Sequence, residues 1–239
     1  MPPPYEASPV EHAADRRPVT LERRTGPFGE VVLRRRDETY EIIANGVFLM
    51  DTSDGRSERL LVHAALAALR TPSDHRAPHL LIGGLGVGFS LAEAAAEPRW
   101  GRITVVEREA AVIDWHREGP LAEISATALA DPRTEIAHTD LVAHVRAATP
   151  GSYDALCLDI DNGPDWTVTE DNDGLYTPTG LAACRAALSP GGVLAVWSAR
   201  PSSVFETALR NAGFTGVRTE EIAVARGVPD VVHLAVRGA

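Results

Sequence analysis

Apolar and polar positions follow two different rhythms along this chain, and the change between them is the first structural signal. Between Val19 and Asp51 the apolar runs are short: Val31 to Leu33, Tyr40 to Ala44 and Val47 to Met50, separated by a polar stretch at 34–38 and by Asn45-Gly46. Asn-Gly between two apolar runs marks a two-residue hairpin turn, because both residues tolerate positive φ. A small antiparallel β unit is therefore predicted at 19–56, with Arg34 to Arg36 on a solvated hairpin tip. It follows a proline-rich stretch, 1–18, that is expected to be disordered. From Ser57, a candidate N-cap, the rhythm lengthens, and Leu60, Leu61, Ala64, Ala65 and Ala68 share one helical face. Beyond a breaker-rich link at 71–78, short continuous apolar runs alternate with helical spacing. Strands are predicted at 79–83, 103–107, 134–137, 153–159 and 192–198, with helices at 89–97, 109–117, 140–148, 178–188 and 202–212. Two last runs, 216–225 and 231–236, read as a closing antiparallel pair. This is the pattern of an α/β, doubly wound, mostly parallel sheet over 57–239.

Composition narrows the class. A chain of 239 residues that is 44% apolar can bury one large core with a small appendage. It contains no apolar run of about 18 residues and no charged leader before an apolar stretch, so neither a membrane partner nor a signal peptide is expected and a cytoplasmic location is the default. The formal charge is −10 and every basic residue is an arginine. That balance argues against nucleic acid as a partner and favours cationic small molecules. The 8 histidines show no metal-ligand spacing, so no metal is expected. Cys157 and Cys184 read as buried thiols.

Chemistry concentrates at the predicted strand ends, where open α/β sheets bind their ligands. After Leu80-Leu81-Ile82 come Gly83, Gly84, Gly86 and Gly88, then an alanine-rich helical run. A strand, a tight glycine turn and a helix N-terminus present free main-chain N–H groups to a ligand. The dinucleotide fingerprint would place a third glycine at 89, which is Phe; the spacing Gly84, Gly86, Gly88 is instead the one usual in proteins that bind S-adenosylmethionine (SAM) on a Rossmann-like sheet. Glu107 closes the next strand, where an acid can accept both hydroxyls of an adenosine ribose. Asp140 follows the third strand and suits either an adenine amino group or the N-cap of the next helix. The fourth strand ends in Asp159 and Asp161, a carboxylate pair that can raise one pKa and serve as base for an ammonium acceptor, or anchor a cation. Trp166 and Tyr176 flank that loop and would wall an acceptor pocket by cation–π contact, or simply pack.

Taken in order, L-I-G-G-L-G-V-G, V-V-E-R-E, D-P-R-T-E-I-A-H-T-D, Y-D-A-L-C-L-D-I-D-N-G-P, L-Y-T-P-T-G-L and L-S-P-G-G-V-L-A-V-W resemble the spermidine synthase family of polyamine aminopropyltransferases over roughly 30–200. The resemblance implies a small N-terminal β unit on a Rossmann-like domain of the class I SAM-methyltransferase type. It also implies SAM or decarboxylated SAM as donor, a small amine as acceptor, and assembly into dimers or tetramers. It assigns Glu107 to the ribose, Asp140 to the adenine, and Asp161, or else Asp159, to the base. Three positions depart from the family pattern. Gly86 stands for an aspartate that holds the donor's aminopropyl amine, Leu49 for a glutamine, and Val62-His63-Ala64 for a Tyr-His-Glu motif. An alkyl transferase moving an aminopropyl-type or methyl group is the leading expectation. Its rivals are a non-catalytic SAM-binding regulator and an NAD-dependent oxidoreductase.

Overall fold

The computed structural model describes residues 17–69, 76–160, 162–165, 172–223 and 228–238. The predicted disordered stretch, Asp161 and Trp166 lie outside them, apart from the last two residues of that stretch.

The N-terminal unit is a four-stranded antiparallel meander, β1 (Val19–Gly26), β2 (Gly29–Arg36), β3 (Thr39–Ala44) and β4 (Val47–Asp51). Asn45 and Gly46 both have positive φ, as a tight hairpin turn requires. The Asn45 side chain also ties this turn to the β1–β2 turn, accepting from Glu30 N at 2.9 Å and donating to Phe28 O at 3.1 Å. The sequence pattern missed β1, an edge strand whose side chains are mostly exposed and so show no apolar run. It also misplaced Arg34 to Arg36, which belong to β2. Arg34 and Arg36 both bind Glu41 of the neighbouring strand, and cross-strand pairing outweighs their polarity.

The larger sheet has seven strands in the order β10-β11-β9-β8-β5-β6-β7. β5 (His79–Gly83), β6 (Arg102–Glu107), β7 (Thr134–His138), β8 (Tyr153–Leu158) and β9 (Leu188–Ser198) run parallel. β11 (Asp230–Arg237) joins β9 antiparallel, and β10 (Phe214–Ile222) joins β11 antiparallel. Alternation places Leu80, Ile82, Ala155, Cys157, Val193 and Ala195 on one face and Leu81, Leu156, Leu158, Leu194 and Val196 on the other. The first face is covered by α1 (Arg56–Ala68), α2 (Phe89–Ala96), α3 (Ala110–Arg117) and α4 (Ala122–Leu129). The second is covered by α5 (Leu141–Ala147), α6 (Asp173–Tyr176), α7 (Pro178–Ala187) and α8 (Ser203–Asn211). Each fully buried leucine or isoleucine contributes about 2 kcal/mol, which explains why these strands carry continuous apolar runs. Both cysteines are buried and free, and burial pushes the Cys184 thiol up to about 12.

Two local readings change. α1 is capped by Gly55 with no side-chain bond, while the Ser57 hydroxyl turns inward and donates to the Glu58 carboxylate at 2.9 Å. α4 was not expected, because its short alanine-rich run carries few large apolar side chains to mark a face.

Candidate active site

A cavity of about 460 Å³ opens where the N-terminal sheet meets the carboxyl ends of β5, β6 and β8. Its walls include Gly84, Gly86, Glu107, Asp159 and Thr139 from the large sheet's strand ends, and Phe48, Leu49 and Met50 from β4. Gly84 has φ +89, and a Cβ there would lie 2.5 Å from the Asp159 carbonyl oxygen. A glycine is therefore what lets the β5 turn lie against the end of β8. Gly83 and Gly88 stand behind this surface, Gly83 against Leu141 and Gly88 against His116.

Glu107 is held by main-chain donors: Leu85 N at 2.9 Å on one oxygen and Glu109 N at 2.8 Å on the other. Burial nevertheless raises its pKa. Arg108 adds a third main-chain donor, and a carboxylate with about four acceptor positions still has capacity for a ligand hydroxyl. The loop is propped from below by His116 of α3, whose Nε2–H donates to Gly86 O at 2.8 Å while Nδ1 lies 2.7 Å from Ser125 Oγ. The two preceding residues hold the N-terminal sheet. Trp115 Nε1 donates to Glu22 at 2.7 Å, and Arg24 pairs with Asp114 at 2.6 Å. Three consecutive residues of α3 thus fix the glycine loop and the β1 strand to the same support.

The acidic wall is larger than the sequence implied. Asp159 faces Glu58 from α1 and Asp230 from β11, and all three line the cavity. The Asp159 residue is only partly covered, yet its carboxyl is withdrawn from bulk water. Burial and the two neighbouring carboxylates hold its pKa well above the ordinary range. Burial likewise raises Glu58 and Asp230, each further raised by the charge of Asp54. Only 8% of Glu58 is exposed, so this carboxyl has little water to stabilise its charge. Trp197 of β9, the strand between β8 and β11, also lines the cavity, and its Nε1–H is shielded and has no partner among the described residues.

Other predicted residues are placed elsewhere. The Asp140 carboxylate caps α5, accepting from Ala143 N at 2.8 Å, and its neighbours Thr139 and Leu141 reach the cavity rather than Asp140 itself. Tyr176 does not wall the cavity. It lies in a separate shallow depression with Asp165 and Asp173, and its ring packs edge-on against Phe205 at 5.6 Å. The Val62-His63-Ala64 segment also lies off the site: Val62 and Ala64 are in the core, and the exposed His63 pairs with Glu93 at 2.9 Å. One turn earlier, Glu58 supplies the acid that α1 contributes. Only an acidic residue in the first turn after a D-G break could have signalled it.

No protein-family model matches the chain. A polyamine aminopropyltransferase of Prochlorococcus marinus (strain MIT 9301) is 27% identical over 193 residues, covering 75% of this chain and 64% of that protein. Putrescine N-methyltransferase 3 of Nicotiana tabacum is 33% identical over 137 residues, covering 56% of this chain and 32% of that protein. The chain thus aligns with less than two thirds of the length of either. Among solved structures, a spermidine synthase in complex with the transition state analogue AdoDATO superposes with a TM-score of 0.76 at 18% identity, over 92% of this chain and 74% of that one. The spermidine synthase of Thermotoga maritima gives 0.73 at 19% identity, over 92% and 73%.

The chain is a relative of the spermidine synthase family. Its seven-stranded mixed sheet with a small N-terminal antiparallel sheet is the fold of those spermidine synthases.

Proposed function

We propose that this spermidine synthase relative is a transferase that moves an alkyl group, aminopropyl or methyl, from an adenosyl sulfonium donor to a small amine. The donor would be SAM or decarboxylated SAM. The observation that carries this reading is the juxtaposition, around one cavity, of a glycine loop, a main-chain-held Glu107 and the carboxyl cluster of Asp159, Glu58 and Asp230. The named activities of the relatives, aminopropyl transfer and putrescine N-methylation, fall within it.

Glu107 would accept the ribose hydroxyls, and the main chain of the glycine loop, turned by Gly84 and Gly86 at positive φ, would lie alongside the donor. Asp140 enters as the cap that holds Thr139 and Leu141 at the wall. The amine arrives as an ammonium ion, drawn by the acidic wall. A carboxylate with a raised pKa takes its proton, the freed nitrogen forms a bond to the sulfonium carbon, and the S–C bond breaks to leave a neutral thioether. Holding nitrogen and carbon in line supplies much of the acceleration. Asp159 is the base among the described residues, and Asp161 is the alternative that the family resemblance favours.

Calorimetry with SAM, decarboxylated SAM, methylthioadenosine and NAD tests the donor, and turnover of amines by Asp159→Asn and Asp161→Asn tests the base. The expected result is binding of the adenosyl sulfur compounds but not NAD. Turnover should fall roughly tenfold or more in one of the two variants, with donor affinity nearly unchanged. Unaltered turnover in both variants overturns the base assignment, and absence of binding overturns the donor.

A further inference from the structure

β8, β5 and β6 are neighbours in the sheet, so Asp159, the glycine loop and Glu107 stand side by side at its mouth. A donor with its ribose on Glu107 and its transferred carbon toward Asp159 must carry its sulfur over the loop between them. The side chain that meets the loop there is Met50. A Cβ at Gly86 would overlap Met50 Sδ, and Val87 N donates to that sulfur at 3.1 Å. Met50 is brought there by an irregularity in β4. Ile42 pairs with Met50 and Ile43 with Phe48, so Leu49 is an extra residue in the strand. A bulge of this kind re-aims the side chains beside it.

We propose that Met50 sets the donor specificity of the site by leaving the charge on the sulfur's third substituent unread; this rests on the sulfonium-donor reading above. A thioether donates no hydrogen bond and accepts only weakly, so it offers an ion partner to neither an ammonium nor a carboxylate. The Val87 N–H that would otherwise receive a tail carboxylate is already engaged by the sulfur. At the loop the site therefore grips the adenosine and the sulfur without reading the carboxylate, and the charges farther along the wall, Arg56 and Arg108 against Glu58, Asp159 and Asp230, are of both signs, so donors with or without the carboxylate are taken alike.

Calorimetry on the full chain with methylthioadenosine, SAM and decarboxylated SAM tests this. For the unaltered protein the two sulfonium donors should differ in Kd by less than about fivefold. Met50→Glu places a carboxylate beside the loop and should shift the ratio about tenfold toward decarboxylated SAM. Met50→Gln, close to methionine in volume, supplies an amide N–H and should shift it several-fold toward SAM. Met50→Leu, which takes the sulfur from the Val87 N–H and leaves that donor for a carboxylate, should shift it in the same direction by less. Methylthioadenosine affinity, which involves no tail charge, reports whether each variant keeps its site. Strong discrimination by the unaltered protein, or a ratio that both polar variants leave where it was, overturns the role of Met50. If methylthioadenosine and both donors fail to bind the unaltered protein, the donor reading falls and this inference with it.

Discussion

Strand β8 carries one buried carboxylate near its start and another just beyond its end, and the two are treated in opposite ways. Asp154, wholly buried, accepts from both terminal nitrogens of Arg76 at 2.6 and 2.8 Å, from His79 N at 2.8 Å and from Ser189 Oγ at 2.7 Å. Asp159 is met by Glu58 and Asp230 instead. At the closed end of the sheet the charge is neutralised and its lone pairs are filled, and the group holds His79 of β5 and Ser189 of β9 against β8. At the open end like charges are gathered, which costs stability unless a cation or a proton joins them. A fold spends this kind of destabilisation where a ligand will relieve it.

The largest test of this contrast is Asp154→Ala. It removes the buried acceptor of the His79 N–H and Ser189 and one partner of Arg76, and should lower stability by about 3 kcal/mol in urea unfolding, with methylthioadenosine affinity unchanged in the folded protein. Gly84→Ala comes next. Its φ of +89 and the Asp159 oxygen at 2.5 Å predict a loss of about 2 kcal/mol together with loss of methylthioadenosine binding, because the loop must leave β8.

A smaller effect separates the two ends by pH. Glu58, Asp159 and Asp230 all have raised pKa values in the folded chain, chiefly through burial, so the folded form holds protons that the unfolded chain has released. Their contribution is fully present below the unfolded carboxyl values of about 4 and is lost as pH rises through the raised folded values. Urea midpoints taken at stepped pH should fall across that window. Glu58→Gln should flatten the fall and raise stability near neutral pH by about 1 kcal/mol. A midpoint that rises over the same window would show that the acids are neutralised in the folded chain. The smallest expected change is in Arg24→Ala, which removes the exposed pair with Asp114 and should cost about 1 kcal/mol or less. Its larger signature is faster hydrogen exchange in β1, because α3 holds that strand.

The order and kind of the elements in the parallel sheet were legible in the chain. Each buried strand must be apolar along its length, and each covering helix must be apolar on one face, whatever else the molecule does. The strand ends carrying Gly84, Glu107 and Asp159 were legible for the same reason, since a loop that begins where a core strand stops is placed by local pattern. Edge strand β1 and helix α4 were not, because neither buries enough large side chains to leave a rhythm.

Tertiary structure alone decided the composition of the site. Glu58, Asp159 and Asp230 come from α1, the end of β8 and the start of β11, and although a strand end marks Asp159, nothing local marks Glu58 or Asp230 as its neighbours in one wall. Met50 reaches the glycine loop only because a bulge turns β4 and α3 anchors the N-terminal sheet. Tyr176, which sequence proximity placed at the acceptor, is carried off to pack on Phe205. Periodicity is a property of neighbours in the chain and reports which side of an element is dry. Which charges meet, and whether they are paired, depends on contacts between residues far apart in sequence, and those exist only once the sheet has closed.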